Sequence, residues 1–376
     1  MQQAAVEQPA PLRTLAEVKA EALARAERGS YPLIGLDPAD VREAFASIVT
    51  TDRDEWAAAW SAIGDRYTAA GDHLRAWRIY SFARWPVPLS EGKGRAYRKA
   101  VDAFLAYARG KQLPLQVVRI PFEGREIVGY LQLPPGVAQA PVIVAIGGLD
   151  SRKEDLAERF APLLAHGIGS LSFDMPGTGE APIKIAPGAE RMFSRALDWL
   201  LARSDVDGSR VALYGGSFGG YWACKLAVTE RARLVGVVAQ APPVHEAFSS
   251  AFAHGNFTNT EYLFELGDAM MSLYDGAETY ADYVRTSPEH SLVAQGFVGR
   301  PTAPMLVIAG ALDTQVPIGD IELWLRSGDT PKEAWIHAGG GHMGRDARVW
   351  RDPVIFANVT TPWLLRVLSQ TKGSPA

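Results

Sequence analysis

The sequence is poor in cysteine, with Cys224 as its single thiol among 376 residues. One thiol excludes an internal disulfide and also excludes a metal site built from several thiolates. We interpret Cys224 as a small core side chain rather than as a reactive group. We expect neither a metal ion nor another cofactor.

Strong net charge and long apolar runs are also missing. The 38 Lys and Arg residues nearly balance 42 Asp and Glu residues, which gives a formal net charge of -4. This balance argues against nucleic acid or an anionic membrane as the main partner. No window reaches the uninterrupted apolar length of a membrane-spanning helix. The opening residues, MQQAAVEQPAPLRT, lack the basic start and apolar run of a signal peptide, so we expect a cytoplasmic protein.

The first part of the chain, residues 1–113, predicts a helical domain. A chain of 376 residues is longer than one core usually needs, so an accessory domain beside a catalytic one is expected. Thr14 and Glu17 have capping-box spacing at the start of an apolar-periodic run. Asp37 and Pro38 place a capping residue before a proline in the first turn of another helix.

The pattern changes at residue 114, where a hairpin is followed by alternating strands and helices. Continuous apolar runs such as residues 142–146 are typical of strands that are buried on both faces. Alternation of such strands with helices predicts a mostly parallel, doubly wound sheet. We assign its first part to residues 114–241 and its second part to residues 301–376. The intervening residues 242–300 are rich in Phe, Tyr and Met, are too long for a loop, and predict a helical lid.

A glycine-rich turn, Gly215-Gly216-Ser217-Phe218-Gly219, follows a predicted buried strand and precedes a predicted helix. This is the G-x-S-x-G pattern of a nucleophile elbow, in the strand-to-helix setting that the pattern requires. The outer glycines let the backbone pass close to a serine in a strained turn, which exposes the hydroxyl at the carboxyl end of the sheet. The alternative is a glycine-rich turn without chemistry; we favour Ser217 as the nucleophile.

Two further motifs supply partners for Ser217. A serine hydroxyl is a weak nucleophile at neutral pH and needs a base beside it, and α/β-hydrolases supply the partners in the chain order serine, acid, histidine. Asp313 follows the next-to-last predicted strand, and His342 follows the last one in a run of glycines. We therefore predict that Ser217, Asp313 and His342 form a catalytic triad. The alternative acids nearby in the sequence are Asp320, Asp329 and Glu246.

Backbone N–H groups for an oxyanion hole are expected at two turns. One donor is predicted at Phe218, where the elbow helix starts. The second is predicted in the Gly-Gly-Leu-Asp turn after the strand 142–146, with Leu149 or Gly148 as the candidate. Glycines merely permitting a tight turn there would be compatible with that role.

Two other polar segments near these turns are interpreted without a catalytic role. Asp174 ends a predicted strand at the same sheet edge, and we interpret its turn mainly as structural. The charges around Arg152, with Glu154 and Asp155, indicate a solvated helix start.

Five segments together resemble the FrsA-like esterase group of α/β-hydrolases. They are GGLDSRKED at 147–155, DMPGTGE at 174–180, GGSFGGYWA at 215–223, GALDTQVP at 310–317 and GGGHMG at 339–344. Within that group the similarity points to 2,6-dihydroxypseudooxynicotine hydrolases and to the pigment-type polyketide-shortening hydrolases. It covers most of the chain, and the first segment joined to an N-terminal helical region is more specific than the elbow alone.

The resemblance implies that the helical domain and the lid cover the triad, often in a homodimer. It also implies that the site hydrolyses either an ester or a carbon–carbon bond next to a ketone. Carbon–carbon cleavage releases a carbanion equivalent that needs a proton, so an additional acid is expected near the triad. By similarity to the nicotine-pathway enzymes, Glu246 is the nearest match for that acid, with His245 beside it. An ordinary glutamate on the lid surface is the alternative.

Our leading interpretation is a hydrolase of a small or medium, aromatic or polyketide-like carbonyl compound. Aromatic side chains of the helical domain and lid are expected to line an apolar pocket or to belong to the core. They are Trp77, Tyr80, Trp85, Phe252, Phe257, Tyr262 and Phe264. The alternative enzymes are a carboxylesterase, an amidase, a thioesterase, and an acyltransferase or cyclase that uses the same triad. The alternative outside enzymes is a non-catalytic binding protein on the same fold.

Overall fold

A computed structural model describes residues 8–11 and 13–370 of the chain. The chain clusters into two compact units. The first, called the helical unit below, comprises the chain up to Leu113 together with His254–Ser272. The second, called the sheet unit, comprises Pro114–Ala253 together with the chain from Leu273 onward.

The segment predicted as a lid, residues 242–300, is divided between these two units, because residues 254–272 cluster with the helical unit. The predicted four-part domain division itself stays a prediction. Its outermost residues, 1–7 and 371–376, lie outside the described part of the chain.

The N-terminal part of the helical unit consists of five helices, of which the first two start at the predicted caps. They are α1 (Leu15–Glu27), α2 (Pro38–Ser47), α3 (Arg53–Ala69), α4 (His73–Ala83) and α5 (Glu91–Gly110). The Thr14 hydroxyl accepts the N–H of Glu17, and the Glu17 carboxylate accepts the N–H of Thr14 at 2.8 Å. The Asp37 carboxylate accepts the N–H of Ala39 before the second helix. Both predicted caps are therefore confirmed.

Aromatic side chains form the core between α3 and α4. Trp60 is fully buried, and its ring centroid lies 4.7 Å from that of Phe82 and 5.8 Å from that of Trp56. Gly64 allows the close approach, because a Cβ atom there would lie 2.5 Å from the ring of Tyr80. Trp60→Ala would leave a large cavity and is expected to cost about 3–5 kcal/mol of stability.

The sheet unit is built on a sheet whose described residues form eight strands in the order β1-β2-β4-β3-β5-β6-β7-β8. The strands are β1 (Leu115–Phe122), β2 (Arg125–Gln132), β3 (Ala140–Ile146), β4 (Gly169–Phe173), β5 (Val206–Gly216), β6 (Gly236–Gln240), β7 (Met305–Gly310) and β8 (Lys332–His337). β2 pairs antiparallel with β1 and with β4, and the other pairs are parallel. The predicted hairpin and mostly parallel sheet are confirmed.

Helices alternate with the strands, as the sequence predicts. The first are α6 (Lys153–Phe160), α7 (Arg191–Leu201) and α8 (Phe218–Thr229). Between β6 and β7 lie the short helices α9 (Ser250–Gly255), α10 (Leu266–Leu273) and α11 (Tyr280–Thr286). The last are α12 (Ile318–Leu325), α13 (Asp352–Ile355) and α14 (Thr361–Leu368). In residues 8–11 and 13–370, no helix has both the length and the apolarity needed to cross a membrane.

The strand register brings the ends of the central strands to one level. Ile146, the last residue of β3, pairs with Phe173 of β4 and with Gly215 of β5. Every residue of β3 is buried, as expected for a strand with helices on both faces. In such sheets the loops at the carboxyl ends of the strands meet at one edge, where ligands bind. The turns after β3, β5, β7 and β8 carry the predicted site residues to that edge.

Candidate active site

Ser217 occupies a strained turn between β5 and α8. Its backbone has φ 54° and ψ −125°, in the positive-φ region that non-glycine residues rarely adopt. The flanking glycines are required for close approach: a Cβ atom at Gly215 would lie 2.0 Å from the Gly219 carbonyl oxygen, and one at Gly219 would lie 2.4 Å from the Ile146 carbonyl oxygen. The geometry is that of a nucleophile elbow.

Two hydrogen bonds connect the three residues of the predicted triad. Ser217 Oγ is 2.9 Å from His342 Nε2, and His342 Nδ1 is 2.9 Å from Asp313 Oδ2. The His342 and Asp313 side chains are 5% and 2% exposed. Gln315 and Val316 donate their backbone N–H groups to Asp313 Oδ1 at 2.8 and 2.9 Å. Both oxygens of the Asp313 carboxylate are thereby fixed in direction.

These contacts keep Asp313 ionised. Burial raises the pKa of its carboxyl group, but His342 and the N–H groups of Gln315 and Val316 outweigh burial and hold that pKa below the ordinary value. An ionised carboxylate can orient the imidazole and stabilise its protonated form. The competing acid Asp320 is used elsewhere, since its carboxylate accepts the N–H groups of Val244 and Glu246 at 2.7 and 2.6 Å.

The turn after β3 lies against the nucleophile. A Cβ atom at Gly148 would lie 3.1 Å from Ser217 Cβ and 3.5 Å from the backbone nitrogen of Phe218. The N–H of Gly148 donates to Ser151 Oγ at 2.8 Å, so this group is already engaged inside the turn. Of the two predicted candidates, Leu149 is therefore the better second donor beside Phe218.

The charged residues that follow this turn are buried, so the predicted solvated helix start is wrong. Arg152, Lys153 and Glu154 are 1%, 0% and 2% exposed. Lys153 Nζ lies 2.9 Å from Asp174 Oδ2 and 2.9 Å from Glu154 Oε1, and 2.8 Å from Glu180 Oε2. Local charge pattern could not show this, because two of the three carboxylates, Asp174 and Glu180, come from the distant segment after β4.

This buried cluster fixes the turn after β3. Arg152 Nη1 donates to the carbonyl oxygens of Leu149 and Ser151 at 2.8 and 2.9 Å. The Asp174 carboxylate accepts the backbone N–H groups of Lys153 and Glu180, each at 3.0 Å. These contacts agree with the structural interpretation of the Asp174 turn. They tie the loops after β3 and β4 together beside the nucleophile.

Gln240, at the end of β6, is a residue that the sequence interpretation missed. Its carbonyl oxygen accepts the N–H of Ser217 at 2.8 Å. Its side-chain Nε2 donates to the carbonyl oxygen of Met343 at 2.8 Å, and its Oε1 accepts the hydroxyl of Tyr214 at 2.7 Å. Gln240 thus joins the elbow to the loop that carries His342. The available signal was a polar residue at the end of the apolar strand 236–240.

His245 and Glu246, the predicted auxiliary residues, are both exposed. His245 Nδ1 lies 2.8 Å from Ser291 Oγ, and the Glu246 carboxylate lies against Gly319 at the start of α12. These contacts are with residues outside the triad. Over the described residues, no group of three or more His, Cys, Asp or Glu side chains is arranged to hold a metal ion.

Cys224 and most of the aromatic side chains singled out in the sequence are core residues. Cys224 is fully buried, and burial raises the pKa of its thiol well above the ordinary value. The buried aromatic side chains, each at most 4% exposed, are Trp77, Tyr80, Trp85 and Tyr262. The remaining three, Phe252, Phe257 and Phe264, are partly exposed.

Residues 50–333 match the family described as Esterase FrsA-like. Esterase FrsA of Enterobacter sp. (strain 638) is 32% identical over 252 residues, which cover 64% of this chain and 58% of that protein. Hydrolase pyiE of Pyricularia grisea is 30% identical over 251 residues, covering 53% and 52%. Hydrolase LUC6 of Fusarium sp is 27% identical over 339 residues, covering 76% and 80%. The chain thus spans little more than half the length of the first two relatives.

Solved structures share the fold over nearly the whole chain. Wild-type AbyA5 superposes with a TM-score of 0.74 at 24% identity, covering 95% of this chain and 94% of that one. A 2,6-dihydroxy-pseudo-oxynicotine hydrolase gives a TM-score of 0.69 at 19% identity, covering 95% and 100%. At these identities the similarity shows the fold, and it confirms the predicted α/β-hydrolase fold.

Proposed function

Because the chain belongs to the FrsA-like esterase family, we propose that it is a serine hydrolase that uses Ser217, His342 and Asp313. The observation that carries this proposal is the pair of 2.9 Å distances from Ser217 Oγ to His342 Nε2 and from His342 Nδ1 to Asp313 Oδ2. Such a relay makes a neutral serine hydroxyl reactive without a cofactor.

The first chemical step follows from this geometry. Ser217 Oγ attacks the substrate carbonyl carbon while its proton passes to His342 Nε2. The Asp313 carboxylate holds the ring through Nδ1–H and stabilises the imidazolium that forms. The N–H groups of Phe218 and Leu149 receive the oxyanion of the tetrahedral intermediate. His342 then protonates the leaving group, and water completes the cycle by the same steps in reverse.

We place the substrate in the class of small or medium, aromatic or polyketide-like carbonyl compounds. Aromatic side chains of the sheet unit support this class. Phe218 lies next to the nucleophile, and its ring centroid is 6.0 Å from that of Phe248 and 6.5 Å from that of Tyr274. The name of the 2,6-dihydroxy-pseudo-oxynicotine hydrolase, which shares the fold, points in the same direction. Cytoplasmic localisation and a homodimer remain predictions.

The bond that is broken is either an ester or a carbon–carbon bond next to a ketone. Cleavage of the second bond requires an acid that protonates a carbanion equivalent, and Glu246 with His245 is the proposed source. Their contacts with Gly319 and Ser291 make the ester the first substrate to test. Thioester hydrolysis and acyl transfer use the same acyl-enzyme and are the related alternatives.

The experiment compares hydrolysis of 4-nitrophenyl butyrate by the wild type, Ser217→Ala and the matched control Ser204→Ala, whose serine is exposed. We expect Ser217→Ala to lower kcat/KM by about 10⁴-fold or more and Ser204→Ala to have no effect. Hydrolysis that persists in folded Ser217→Ala would exclude Ser217 as the nucleophile.

A second measurement separates the two bond types. The wild type and Glu246→Gln are incubated with 1-phenylbutane-1,3-dione, and the acid and ketone products are quantified by chromatography. Cleavage of the diketone that slows in Glu246→Gln, with ester hydrolysis unchanged, supports the carbon–carbon activity. If neither substrate responds to Glu246→Gln, Glu246 has no catalytic role.

A further inference from the structure

The helical unit contains a cavity of its own. Its volume is about 560 Å³, within the range of roughly 300–1,000 Å³ that is typical of small-molecule sites. Every residue that lines it belongs to the helical unit: the N-terminal segment and helices on one side, and residues 256–268 on the other. The proposed catalytic residues are not among the lining residues, so a role for this cavity is independent of the proposed hydrolysis.

One part of the cavity wall is apolar and aromatic. Trp56 and Phe264 meet edge to face with ring centroids 4.6 Å apart, and Phe257, Leu263 and Leu266 extend the same surface. Aromatic walls with fixed edge-to-face packing suit a flat apolar ligand. Phe257 and Phe264 are both partly exposed and both line the cavity.

The other part of the wall is a cluster of charged groups around Glu265. Arg53 Nε lies 2.6 Å from Glu265 Oε1, and Lys93 Nζ lies 2.6 Å from Glu265 Oε2. Arg53 Nη2 also reaches Asp268 Oδ2 at 2.8 Å. The Lys93 side chain is 1% exposed, and it also donates to the Trp85 carbonyl oxygen at 3.0 Å. Burying a charged lysine to this extent is energetically unfavourable unless the charge is paired.

The backbone at Glu265 is held in an unusual conformation. Its φ of 59° lies in the left-handed region, where a residue other than glycine is strained. Strained residues concentrate at binding sites, where the surrounding structure enforces them. The Glu265 carboxylate lies between Arg53 and Lys93, at the wall of the cavity.

The charges of the lining determine the kind of ligand that fits. Three cationic side chains and four carboxylates line the cavity, so a strongly anionic ligand is disfavoured. Arg53 donates from Nε and Nη2 to its carboxylate partners, and its guanidinium group has further N–H groups on Nη1. Lys93 makes two hydrogen bonds through an ammonium that has three N–H groups, and this ammonium also lies 5.2 Å from the ring centroid of Phe264. These N–H groups are suited to a carbonyl or hydroxyl oxygen.

We propose that this cavity is a binding site for an uncharged, flat and largely apolar molecule that bears a carbonyl or hydroxyl oxygen. The apolar body lies against Trp56 and Phe264, and the oxygen accepts from Arg53 or Lys93. The site belongs to the helical unit and binds its ligand whether or not the protein hydrolyses an ester.

The test uses prodan, an uncharged naphthyl ketone whose fluorescence shifts to shorter wavelength in an apolar site. The full-length wild type is titrated, together with Leu89→Trp, which adds bulk at a partly exposed lining residue. The matched control is Ile34→Trp, which adds the same side chain at a position that is 54% exposed and outside the cavity lining. Thermal unfolding of all three proteins establishes that they are folded.

We expect saturable binding with a Kd on the order of 100 µM or tighter for a ligand of this size. Ile34→Trp keeps this affinity, and Leu89→Trp weakens it by about tenfold or more because the added ring occupies the ligand volume. Arg53→Gln weakens the affinity for prodan by about fivefold, as expected for the loss of one hydrogen bond. The anionic dye 8-anilinonaphthalene-1-sulfonate binds more weakly than prodan to the wild type.

Two results would overturn the proposal. The first is the absence of a saturable blue shift with the folded wild type. The second is equal prodan affinity in the wild type and folded Leu89→Trp, since binding would then lie outside the cavity. Anilinonaphthalene sulfonate binding as tightly as prodan would overturn the assignment of an uncharged ligand.

Discussion

Each unit of this protein buries a lysine among carboxylates, and the surroundings of the two lysines differ. In the sheet unit, Lys153 contacts Asp174, Glu154 and Glu180 and is fully enclosed. In the helical unit, Lys93 contacts Glu265 and lines a cavity. The same kind of charge pair therefore joins two loops in the sheet unit and forms part of a cavity wall in the helical unit.

The pKa shifts fit this difference. Burial raises the pKa of Asp174, but Lys153 and Arg152 outweigh burial and lower it overall, so Asp174 stays ionised within the enclosed cluster. Burial lowers the pKa of Lys93, and Glu265 offsets this in part. Within the enclosed cluster Asp174 is thus held in its charged form, whereas burial raises the pKa of Glu154, and the lysine at the cavity holds its proton less tightly than usual.

The largest expected effect separates the two units by function. His342→Ala removes the proposed base, and we expect kcat/KM for an aryl ester to fall by about 10⁴-fold or more. Binding of prodan to the helical unit should stay within about twofold of wild type, since no cavity residue changes. Parallel ester kinetics and prodan titration check this. Loss of both ester hydrolysis and prodan binding in folded His342→Ala would contradict the separation.

The next effect compares the two lysines directly. Lys153→Met leaves buried carboxylates without their cation and is expected to cost about 3–5 kcal/mol of unfolding free energy. Lys93→Met should cost less, about 1–3 kcal/mol, because Glu265 keeps Arg53 and is 16% exposed. Urea denaturation at pH 7 measures both.

The effect of Lys153→Met should also depend on pH in a defined direction. Asp174 has a lowered pKa in the folded state, so its contribution to stability is present above its unfolded pKa and is lost as the pH falls through the folded pKa. The difference between wild type and Lys153→Met should therefore shrink toward acid pH. A difference that grows on acidification would show that another group dominates.

A third test concerns a buried histidine of the sheet unit that faces a cation. Burial, with a smaller effect from Lys225, lowers the pKa of His290 to about 4, and its ring centroid lies 4.6 Å from that of Tyr274. Because the folded pKa is below the unfolded value, stability is full above about pH 6.5 and falls as the pH drops toward 4. At pH 5 this loss is about 2 kcal/mol relative to pH 8.

His290→Phe keeps the ring packing and removes the proton site. We expect its unfolding free energy to vary less between pH 8 and pH 5 than that of the wild type. Denaturation curves at both pH values measure the difference. Identical pH dependence in the two proteins would rule out His290 as its source.

The smallest effect concerns Gln240, which acts through other residues. Gln240→Met keeps the side-chain length and removes the contacts with Met343 and Tyr214, so the His342 loop loses one anchor. We expect kcat to fall by about tenfold with KM little changed. Tyr214→Phe removes the contact to Gln240 Oε1 but keeps the contact to Met343, and should have a smaller effect. A change confined to KM would contradict a positioning role.

The sequence was sufficient for the sheet and for placing Ser217, Asp313 and His342 at one edge of it, because both rest on local patterns. The elbow glycines, the strand before Ser217 and the strand-end placement of Asp313 and His342 are all readable from neighbouring residues. The choice of the acid among Asp313, Asp320 and Glu246 required the structure, since it depends on which carboxylate contacts His342.

Contacts between distant segments were beyond the sequence. The error at Arg152 and Lys153 arose because Asp174 approaches them from another strand, and a run of charges normally indicates solvent exposure. The role of Gln240 depends on its contact with Met343, 103 residues away in the sequence. The cavity likewise depends on Glu265 and Arg53 meeting across the helical unit, which no local pattern records.

The most direct test of the central claim is covalent labelling of the nucleophile. Wild type, Ser217→Ala and His342→Ala are incubated with a fluorophosphonate, and the adduct is located by peptide mass spectrometry. We predict one adduct on Ser217 in the wild type, much slower labelling in His342→Ala and none in Ser217→Ala. Folded wild type that stays unlabelled, or a label that persists in Ser217→Ala, would contradict the assignment of this site as a serine hydrolase.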